Sequence, residues 1–351
     1  MNSSQPVSKF SAVFAVFPVQ GSQQVGMAKD LYENFALVRH TFEEASESIH
    51  VNLKKLCFDG PESDLTLTEN TQPCLLTASV AAYRVAEQEL GFFPGAVAGH
   101  SLGEYSALVA ARCLDLPSAV RWVRERGSAM QKAVPSGEGK MAAILGLEDA
   151  QVEQLCRKAT EIALKKRESG ESKTLSIPPL VEPANFNAPA QVVIAGSCDA
   201  IDEAIALIKS GKDFSGGKAI PLQVSAPFHC QLMKPARNRM VELFSNTSGE
   251  RPKPLAFPYI PNRTGRLTQE AGLVFEFLIE QVDHPVLWKQ SIQTLLDGSF
   301  QTAIEFGPGK VLTGLIKRIA SSTNKNCNLG SVSDTASLKT LESQFQTLRS
   351  K

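Results

Sequence analysis

The chain carries a serine between two glycines, Gly99-His-Ser-Leu-Gly103, at the junction of an apolar segment and a helical segment. The short apolar run Gly95–Ala98 predicts a buried strand, and the pattern from Glu104 to Ala111 predicts a helix. A strand that turns through glycines directly into a helix is the βα unit of α/β folds. This segment therefore predicts an α/β protein.

The same five residues match the pattern Gly-x-Ser-x-Gly, in which a sharp turn lifts a serine hydroxyl clear of the sheet. The N–H group after the serine would then point, with the helix dipole behind it, at an oxyanion formed on an attacked carbonyl. The pattern alone arises by chance in about one chain in ten of this length, so a purely structural turn is the alternative. The strand before it and the helix after it favour Ser101 as a nucleophile.

Residues 139–221 differ in pattern from the rest of the chain. Their strand-like and helical segments follow the order β-α-β-β-α-β, which is typical of a ferredoxin-like unit. We therefore expect a large α/β-hydrolase-like domain with a parallel sheet, formed by residues 1–138 and 222–351, and an inserted ferredoxin-like subdomain at 139–221. Within that subdomain, the polar segment 165–179 predicts a surface loop.

Charge and cysteine content exclude several functions. The 351 residues include 36 Lys and Arg against 36 Asp and Glu, and this zero balance gives no electrostatic footprint for nucleic acid or an anionic membrane. The seven cysteines are odd in number and none are spaced C-x-x-C, which predicts reduced thiols in a cytoplasmic protein. No apolar run approaches a membrane span, and the Phe/Val alternation of Phe10–Phe17 favours a buried strand over a signal peptide.

A serine nucleophile needs a base, and the chain has five histidines. His100 adjoins the serine, but neighbouring side chains at such a turn diverge, and His40 and His50 lie among acidic residues on predicted helices. His229 follows a predicted strand, where a loop would meet an active site, whereas His284 precedes a proline. The pattern favours His229 over His284 without deciding between them.

A helix predicted over residues 117–134, with Asp115 placed to cap it, carries two arginines beside its apolar stripe. Arg124 flanks one side of the stripe and Arg126 the other, so periodicity cannot choose between them. For either one, the alternative to a functional role is a surface arginine whose stem packs along the edge of the core.

Motifs from about Phe14 to Ile319 match a single family, in the family's order. The matching stretches are Phe17-Pro-Val-Gln-Gly-Ser-Gln23 with Gly26-Met27, Gly99-His-Ser-Leu-Gly-Glu-Tyr-Ser-Ala-Leu108, Arg126-Gly127 with Met130-Gln131, Asn185-Phe-Asn-Ala-Pro189, Gln191-Val-Val-Ile-Ala-Gly196, Val224-Ser-Ala-Pro-Phe-His229, Gln281 with Pro285 and Trp288, and Glu305-Phe-Gly-Pro-Gly-Lys-Val-Leu-Thr-Gly-Leu315. Together they resemble the malonyl-CoA:acyl carrier protein transacylases of bacterial fatty acid synthesis and the related acyltransferases of polyketide synthases.

That resemblance implies a catalytic role for each matching residue. Ser101 would be the nucleophile and His229 its base, with the backbone carbonyl of Gln281 orienting the histidine in place of the carboxylate of a Ser-His-Asp triad. The backbone N–H groups of Gln20 and Leu102 would form the oxyanion hole.

The resemblance also implies how the substrate is bound. Arg126, not Arg124, matches the arginine that binds the free carboxylate of a malonyl group, a task suited to the bidentate guanidinium. Phe228 resembles malonyl-selective members, in which bulk before the histidine disfavours a branched extender. Val19 departs from the family, which usually has glycine there, and a β-branched residue resists positive φ.

The implied function is transfer of malonyl from malonyl-CoA to the phosphopantetheine thiol of an acyl carrier protein through a malonyl-serine ester, in fatty acid or polyketide synthesis. The resemblance implies a cytoplasmic enzyme without metal or cofactor, and we expect a monomer. Lys310, Lys317, Arg318 and the basic cluster 165–167 are candidate contacts for an acidic carrier protein, with a solvated face as the alternative. The alternative functions are an acyl-carrier-protein acyl hydrolase on the same scaffold, against which Arg126 argues, and a non-catalytic carrier-protein binding module.

Overall fold

The described part of the chain combines strands with helices, and five helices in succession stand between the first and the second strand. The computed structural model describes residues 10–172, 175–247 and 249–349. In chain order the elements are β1 (Phe10–Phe17), α1 (Lys29–Asn34), α2 (Ala36–Ile49), α3 (Leu53–Asp59), α4 (Glu62–Thr66), α5 (Thr68–Leu90), β2 (Pro94–Gly99), α6 (Leu102–Ala110), α7 (Leu116–Lys132), β3 (Gly139–Leu145), α8 (Asp149–Glu168), β4 (Val181–Ala188), β5 (Gln191–Ser197), α9 (Cys198–Ser210), β6 (Lys218–Pro221), α10 (Lys234–Ser245), β7 (Tyr259–Ile260), α11 (Val274–Glu280), α12 (Trp288–Asp297), β8 (Thr302–Phe306), α13 (Val311–Ser322), β9 (Asn328–Val332) and α14 (Thr335–Arg349).

A parallel sheet with the strand order β7-β2-β1-β8-β9 forms the centre of the larger part of the fold. Alternate residues of β1 face opposite sides of it: Ala15 and Phe17 join one apolar core, and Phe14 and Val16 the other. Burial on both faces explains why β1 is an almost unbroken apolar run. Because β1 and β2 are adjacent and parallel, the loop after β1 lies beside the serine turn after β2, at the edge of an α/β sheet where ligands bind.

Strands β3 to β6 form a second, antiparallel sheet in the order β4-β5-β3-β6. Helices α8 and α9 cover one face of it through a separate core that contains Leu155 and Ile201. Met141 and Val193, on the other face, belong to the main core. This is the strand order of a β-α-β-β-α-β ferredoxin-like unit. The predicted fold class, a parallel-sheet α/β protein with a small ferredoxin-like subdomain, is confirmed.

Helix α8 is longer than the sequence pattern predicts. It runs to Glu168, so residues 165–167 form its last turn, and the prediction that a loop begins at 165 was wrong. The Arg167 guanidinium donates to both carboxylate oxygens of Asp199 on α9, at 2.5 and 2.8 Å, and this bidentate pair holds the helix end against its neighbour. Residues 173 and 174 of the predicted loop lie outside the described residues.

Among the described residues, no helix combines the length and the apolar character that crossing a bilayer requires.

Candidate active site

Ser101 occupies the turn between β2 and α6, with φ 53° and ψ −107°, a backbone conformation that serine rarely adopts. Both motif glycines are sterically required: a Cβ on Gly99 would lie 1.9 Å from the carbonyl carbon of Gly103, and a Cβ on Gly103 would lie 2.1 Å from the carbonyl oxygen of Phe17. The Asn262 side chain accepts from the Ser101 N–H and donates to the Gly99 carbonyl, each at 2.6 Å. A residue distant in sequence therefore holds the strained turn from both sides.

His229 is the histidine that contacts this serine. Its Nε2 lies 2.7 Å from the Oγ of Ser101, and its Nδ1 lies 2.8 Å from the carbonyl oxygen of Gln281. Because a carbonyl can only accept, Nδ1 carries the proton and Nε2 is left to accept the serine proton. Burial and, next, the charge of Arg126 lower the pKa of His229 to about 3, so the ring is neutral at pH 7, as a general base must be.

Arg126, on α7, reaches the same point from the opposite side and is only 1% exposed. Its Nη2 donates to the Oγ of Ser101 at 3.1 Å and to the Oε1 of Gln281 at 2.7 Å, and its Nη1 donates to the Oε1 of Gln72 at 2.9 Å. The guanidinium carbon lies 5.7 Å from the centre of the Tyr105 ring. Burial lowers the pKa of Arg126, yet arginine stays charged in proteins, so the Ser101 hydroxyl faces a cation.

Arg124 does not reach the site. Its Nη1 donates at 3.4 Å to the carbonyl oxygen of Ile49 at the end of α2. Periodicity left the two arginines equivalent, and the structure separates them because Arg126 bonds to Gln72 on α5 and to Ser101, whereas Arg124 bonds to α2.

A cleft of about 110 Å³ opens onto the serine, histidine and arginine. The loop after β1 and the serine turn after β2 line one part of it, and the antiparallel sheet contributes Met141 and Asn185. Phe228 lines it directly before the histidine and is 8% exposed. The full lining is Val19, Gln20, Gln72, Ser101, Arg126, Met130, Met141, Asn185, Leu222, Val224, Phe228 and His229.

The two expected oxyanion donors lie beside the serine. Leu102 is the first residue of α6, so its N–H has no acceptor within the helix and is free for an oxyanion. Gln20 lines the cleft from the loop after β1. Val19 is not among the residues with positive φ; the glycines Gly21 and Gly26 take the left-handed positions of this loop, with φ of 103° and 94°. The valine therefore does not strain the loop.

The other candidates from the sequence lie elsewhere. The Nδ1 of His284 contacts the Glu280 carbonyl at 2.9 Å and the Asp283 carboxylate at 2.8 Å, and this histidine does not line the cleft. His100 faces away from the serine, with its Nε2 2.8 Å from the Oδ1 of Asn187. Burial lowers the pKa of His100 to about 4, so it too is neutral.

Sequence reasoning missed three buried polar residues that support the site: Gln72, Glu104 and Asn262. The Oε2 of Glu104 accepts from the Asn262 N–H at 3.0 Å and from the Nε2 of Gln281 at 2.7 Å. Glu104 interrupts an otherwise apolar helix, which was a readable signal, whereas Gln72 follows the polar first turn of α5 and does not stand out in the sequence. Asn262 comes directly after a short strand and Pro261, and this position was a weaker signal.

The arrangement suits nucleophilic acyl transfer: a serine with a neutral base, backbone donors for an oxyanion, and a buried cation that would bind an anionic acyl group. In the described part of the chain, no three His, Cys, Asp or Glu side chains cluster so as to hold a metal ion.

Comparison with known proteins places this chemistry in a family. A family model described as an acyl transferase domain matches residues 13–339. The malonyl CoA-acyl carrier protein transacylase of Escherichia coli K12 is 42% identical over 88% of this chain and 92% of its own length. The crystal structure of an acyl-carrier-protein S-malonyltransferase from Burkholderia pseudomallei 1710b is 42% identical, with a TM-score of 0.83 over 94% of this chain and 99% of that one.

A third relative was solved with its partner. It is a malonyl-transacylase in complex with a type II polyketide synthase acyl-carrier protein, 39% identical, with a TM-score of 0.83 over 95% of this chain and 99% of that one. Coverage of this extent on both sides, together with a family match over almost the entire chain, establishes that this chain belongs to the acyl transferase domain family.

Proposed function

We propose that this protein is a malonyl-CoA:acyl carrier protein S-malonyltransferase. The observation that carries the proposal is the position of Arg126: a buried cation that lines the cleft and whose Nη2 lies 3.1 Å from the Oγ of Ser101. A malonyl group has a carboxylate two carbons from its thioester carbonyl, so a group that reacts at Ser101 presents its charge beside that arginine. The curated and structural relatives named for this reaction support the same activity.

The first half-reaction would acylate the enzyme. His229 accepts the Ser101 proton at Nε2 while Oγ attacks the thioester carbonyl, and the oxyanion is held by the N–H groups of Leu102 and Gln20. The Gln281 carbonyl holds the ring while it is protonated. Collapse breaks the C–S bond, the CoA thiolate takes the proton from His229, and a malonyl ester remains on Ser101.

The second half-reaction would deliver the acyl group to a carrier protein. The phosphopantetheine thiol gives its proton to His229 and attacks the ester carbonyl, and Ser101 recovers its proton as the leaving group. The relative solved in complex with an acyl-carrier protein supports this partner. Of the basic residues considered as docking contacts, Lys166 pairs with Glu203 at 2.6 Å and Arg167 with Asp199, so both are largely neutralised.

The alternative of an acyl hydrolase finds no such support. A hydrolase for uncharged acyl groups would leave Arg126 buried without a substrate partner, at a cost of several kcal/mol.

The serine, the histidine and backbone donors suffice for the transfer, so we propose no resident cofactor. We also propose that residues 139–221 form a separate inserted domain, on the basis of their own core, and that the enzyme acts in the cytoplasm.

Intact-protein mass spectrometry tests the function directly. After separate incubation with malonyl-CoA and acetyl-CoA, the wild type should accumulate a malonyl adduct and much less acetyl adduct. Ser101→Ala should show neither while keeping its fold, because the hydroxyl contributes little to packing at this turn. A malonyl ester on Ser101→Ala would mean that the nucleophile is another residue, and no adduct on the wild type would overturn the proposal.

A further inference from the structure

The Arg126 charge has no carboxylate against it. Its three hydrogen bonds go to a hydroxyl and to two side-chain amides, and its Nε has no hydrogen-bond partner. Among the described residues no carboxylate forms an ion pair with it, although it is 1% exposed. A buried, uncompensated cation is costly, so a compensating charge is expected near it.

The carboxylate of Glu104 is connected to Arg126 through a single intervening side chain, that of Gln281. The Gln281 amide bridges the two: its Oε1 accepts from Arg126 at 2.7 Å, and its Nε2 donates at 2.7 Å to the Oε2 of Glu104 and at 2.9 Å to the carbonyl oxygen of Ser101. With two acceptors on the Nε2 side, the amide cannot reverse without placing oxygen against oxygen. Glu104 therefore helps to fix which end of Gln281 faces the arginine.

Glu104 is completely buried, and its other oxygen, Oε1, has no hydrogen-bond partner. Burial raises the pKa of Glu104 to about 7, against the opposing effects of the Asn262 N–H, the Gln281 amide and the Arg126 charge. Two other ionisable groups lie near the arginine, and both are neutral at pH 7: burial raises the pKa of Tyr105, and burial and the Arg126 charge lower the pKa of His229. Above neutrality, Glu104 is thus the negative group that faces this cation.

We propose that Glu104 is the counter-ion of Arg126 in the free enzyme, held behind Gln281 so that the guanidinium remains open to the carboxylate of the substrate. Glu104 is a positioning residue in this scheme and does not touch the acyl group. The inference rests on the proposed malonyl transfer. It has a thermodynamic consequence: Glu104 and a bound malonyl carboxylate compensate the same cation, so loss of one increases the stabilisation that the other provides.

Melting temperatures of acylated enzymes test this coupling. Wild type and Glu104→Gln are compared at alkaline pH in three forms: free, malonyl ester and acetyl ester. Free Glu104→Gln should melt below the wild type. The malonyl ester of Glu104→Gln should melt at a higher temperature than its acetyl ester, because only malonyl restores a negative charge. This difference should exceed the same difference in the wild type by about 2 to 4 °C.

Glu305→Gln is the matched control. Glu305 is also completely buried and accepts hydrogen bonds from two backbone N–H groups, those of Leu312 and Thr313, but it lies at the end of β8 and has no contact with Arg126. This variant should lose stability equally in all three forms. If Glu104→Gln behaves in the same way as Glu305→Gln, Glu104 is merely structural and the inference is overturned.

An exchange variant, Glu104→Gln with Gln281→Glu, decides the question if Glu104→Gln does not fold. It keeps the number of buried charges but places the carboxylate directly on Arg126, where it competes with the substrate. The ratio of malonyl to acetyl acylation rates should fall by about tenfold or more, and an unchanged ratio would overturn the inference. Failure of the wild type to form a malonyl ester would instead overturn the proposed function.

Discussion

His229 is held by a peptide carbonyl rather than by a carboxylate, and this limits its strength as a base. A carbonyl dipole stabilises the protonated ring less than a full charge does, and burial together with the nearby Arg126 cation lowers the pKa of His229 to about 3. A malonyl carboxylate bound to Arg126 would cancel part of that repulsion and raise the basicity of the histidine. Selectivity for malonyl would then arise twice, in binding and in proton transfer. An acetyl group would leave the Arg126 charge unpaired and would leave its repulsion of the protonated His229 ring unchanged.

Arg126→Ala should therefore affect the two acyl donors differently. The rate of malonyl acylation should fall by about 10² or more, because a bidentate charged contact is lost. The acetyl rate should stay unchanged or rise, since the charge that suppresses His229 is gone. Arg124→Ala, which alters the other flank of the same helix, is the control and should change neither rate. Acyl-enzyme formation with both donors, followed by rapid quench and mass measurement, checks this; equal losses for the two donors would show a structural role.

Substitution of the two candidate bases should give unequal losses. His229→Ala should slow acylation by roughly 10² to 10⁴, the usual contribution of a positioned general base. His284→Ala should cost far less, because that ring contacts only the Glu280 carbonyl and Asp283. Single-turnover rates with malonyl-CoA measure both. A larger loss for His284→Ala would remove His229 from the reaction.

The helix that carries Arg126 is placed by its contact with α5. Gly127 is the contact point: a Cβ there would lie 2.6 Å from the carbonyl oxygen of Thr68, at the start of α5. The Asp115 side chain caps the helix by accepting from the Ser118 N–H at 2.9 Å, as the sequence predicts. The register of α7, and with it the depth of the arginine in the cleft, therefore depends on one position without a side chain.

Gly127→Ala should consequently act on the neighbouring arginine. The added methyl group would push α7 away from α5, which should lower the melting temperature and reduce malonyl acylation more than acetyl acylation. Gly314→Ala in α13 is the matched control, because a Cβ there meets nothing within 4 Å, and alanine has the better helix propensity. Thermal melts and two-donor acylation rates report both effects, and a Gly127→Ala enzyme with wild-type selectivity would contradict this account of how the arginine is placed.

Local patterns reveal elements better than they reveal contacts between them. The apolar alternation of β1 and the strand-glycine-helix order around Ser101 are local, and the structure follows both. The arginine choice is not local, because Arg124 and Arg126 flank the same stripe and only packing against α2, α5 and α6 separates them. Likewise, α8 extends through residues 165–167, and its end is held by the pair between Arg167 and Asp199, whose 32-residue separation helical periodicity does not indicate.

The residues of the candidate active site are spread along the chain from Gln20 to Gln281. The buried polar residues that hydrogen-bond to them were not predicted, because these contacts join residues that are distant in sequence. Each buried polar residue can be noticed singly in the sequence, but its partner cannot. Asn262 bonds to the backbone of Ser101 across 161 positions, and Gln281 to Glu104 across 177. Hydrophobic patterning indicates the individual strands and helices, whereas these hydrogen bonds join residues that only the tertiary fold brings together. The resemblance to a known family supplied the roles of Ser101, His229 and Arg126 that patterning left open.

Burying neutral histidines makes the stability of the protein depend on pH in a defined direction. The pKa of His229 is lowered to about 3 in the fold, against about 6.5 in an unfolded chain. Below pH 6.5 the unfolded state therefore binds a proton that the folded state does not. Stability from this group is complete above about pH 6.5 and is lost as the pH falls toward 3, by about 1.4 kcal/mol per pH unit. His100, with a pKa lowered to about 4, acts in the same sense, and Glu104, with a pKa raised to about 7, acts in the opposite sense.

The buried histidines and Glu104 have opposing effects on how stability depends on pH. A comparison of the wild type with His229→Gln isolates the effect of His229. The free energy of unfolding, measured with denaturant between about pH 5 and pH 6.5, should depend on pH less steeply in His229→Gln than in the wild type. The difference in slope should be about 1.4 kcal/mol per pH unit near pH 5 and about half of that near pH 6.5, where a histidine in the unfolded chain is only half protonated. Parallel curves for wild type and His229→Gln would mean that the buried ring gains its proton in the fold as readily as in the unfolded chain, and the neutral base assigned to the reaction would have to be abandoned.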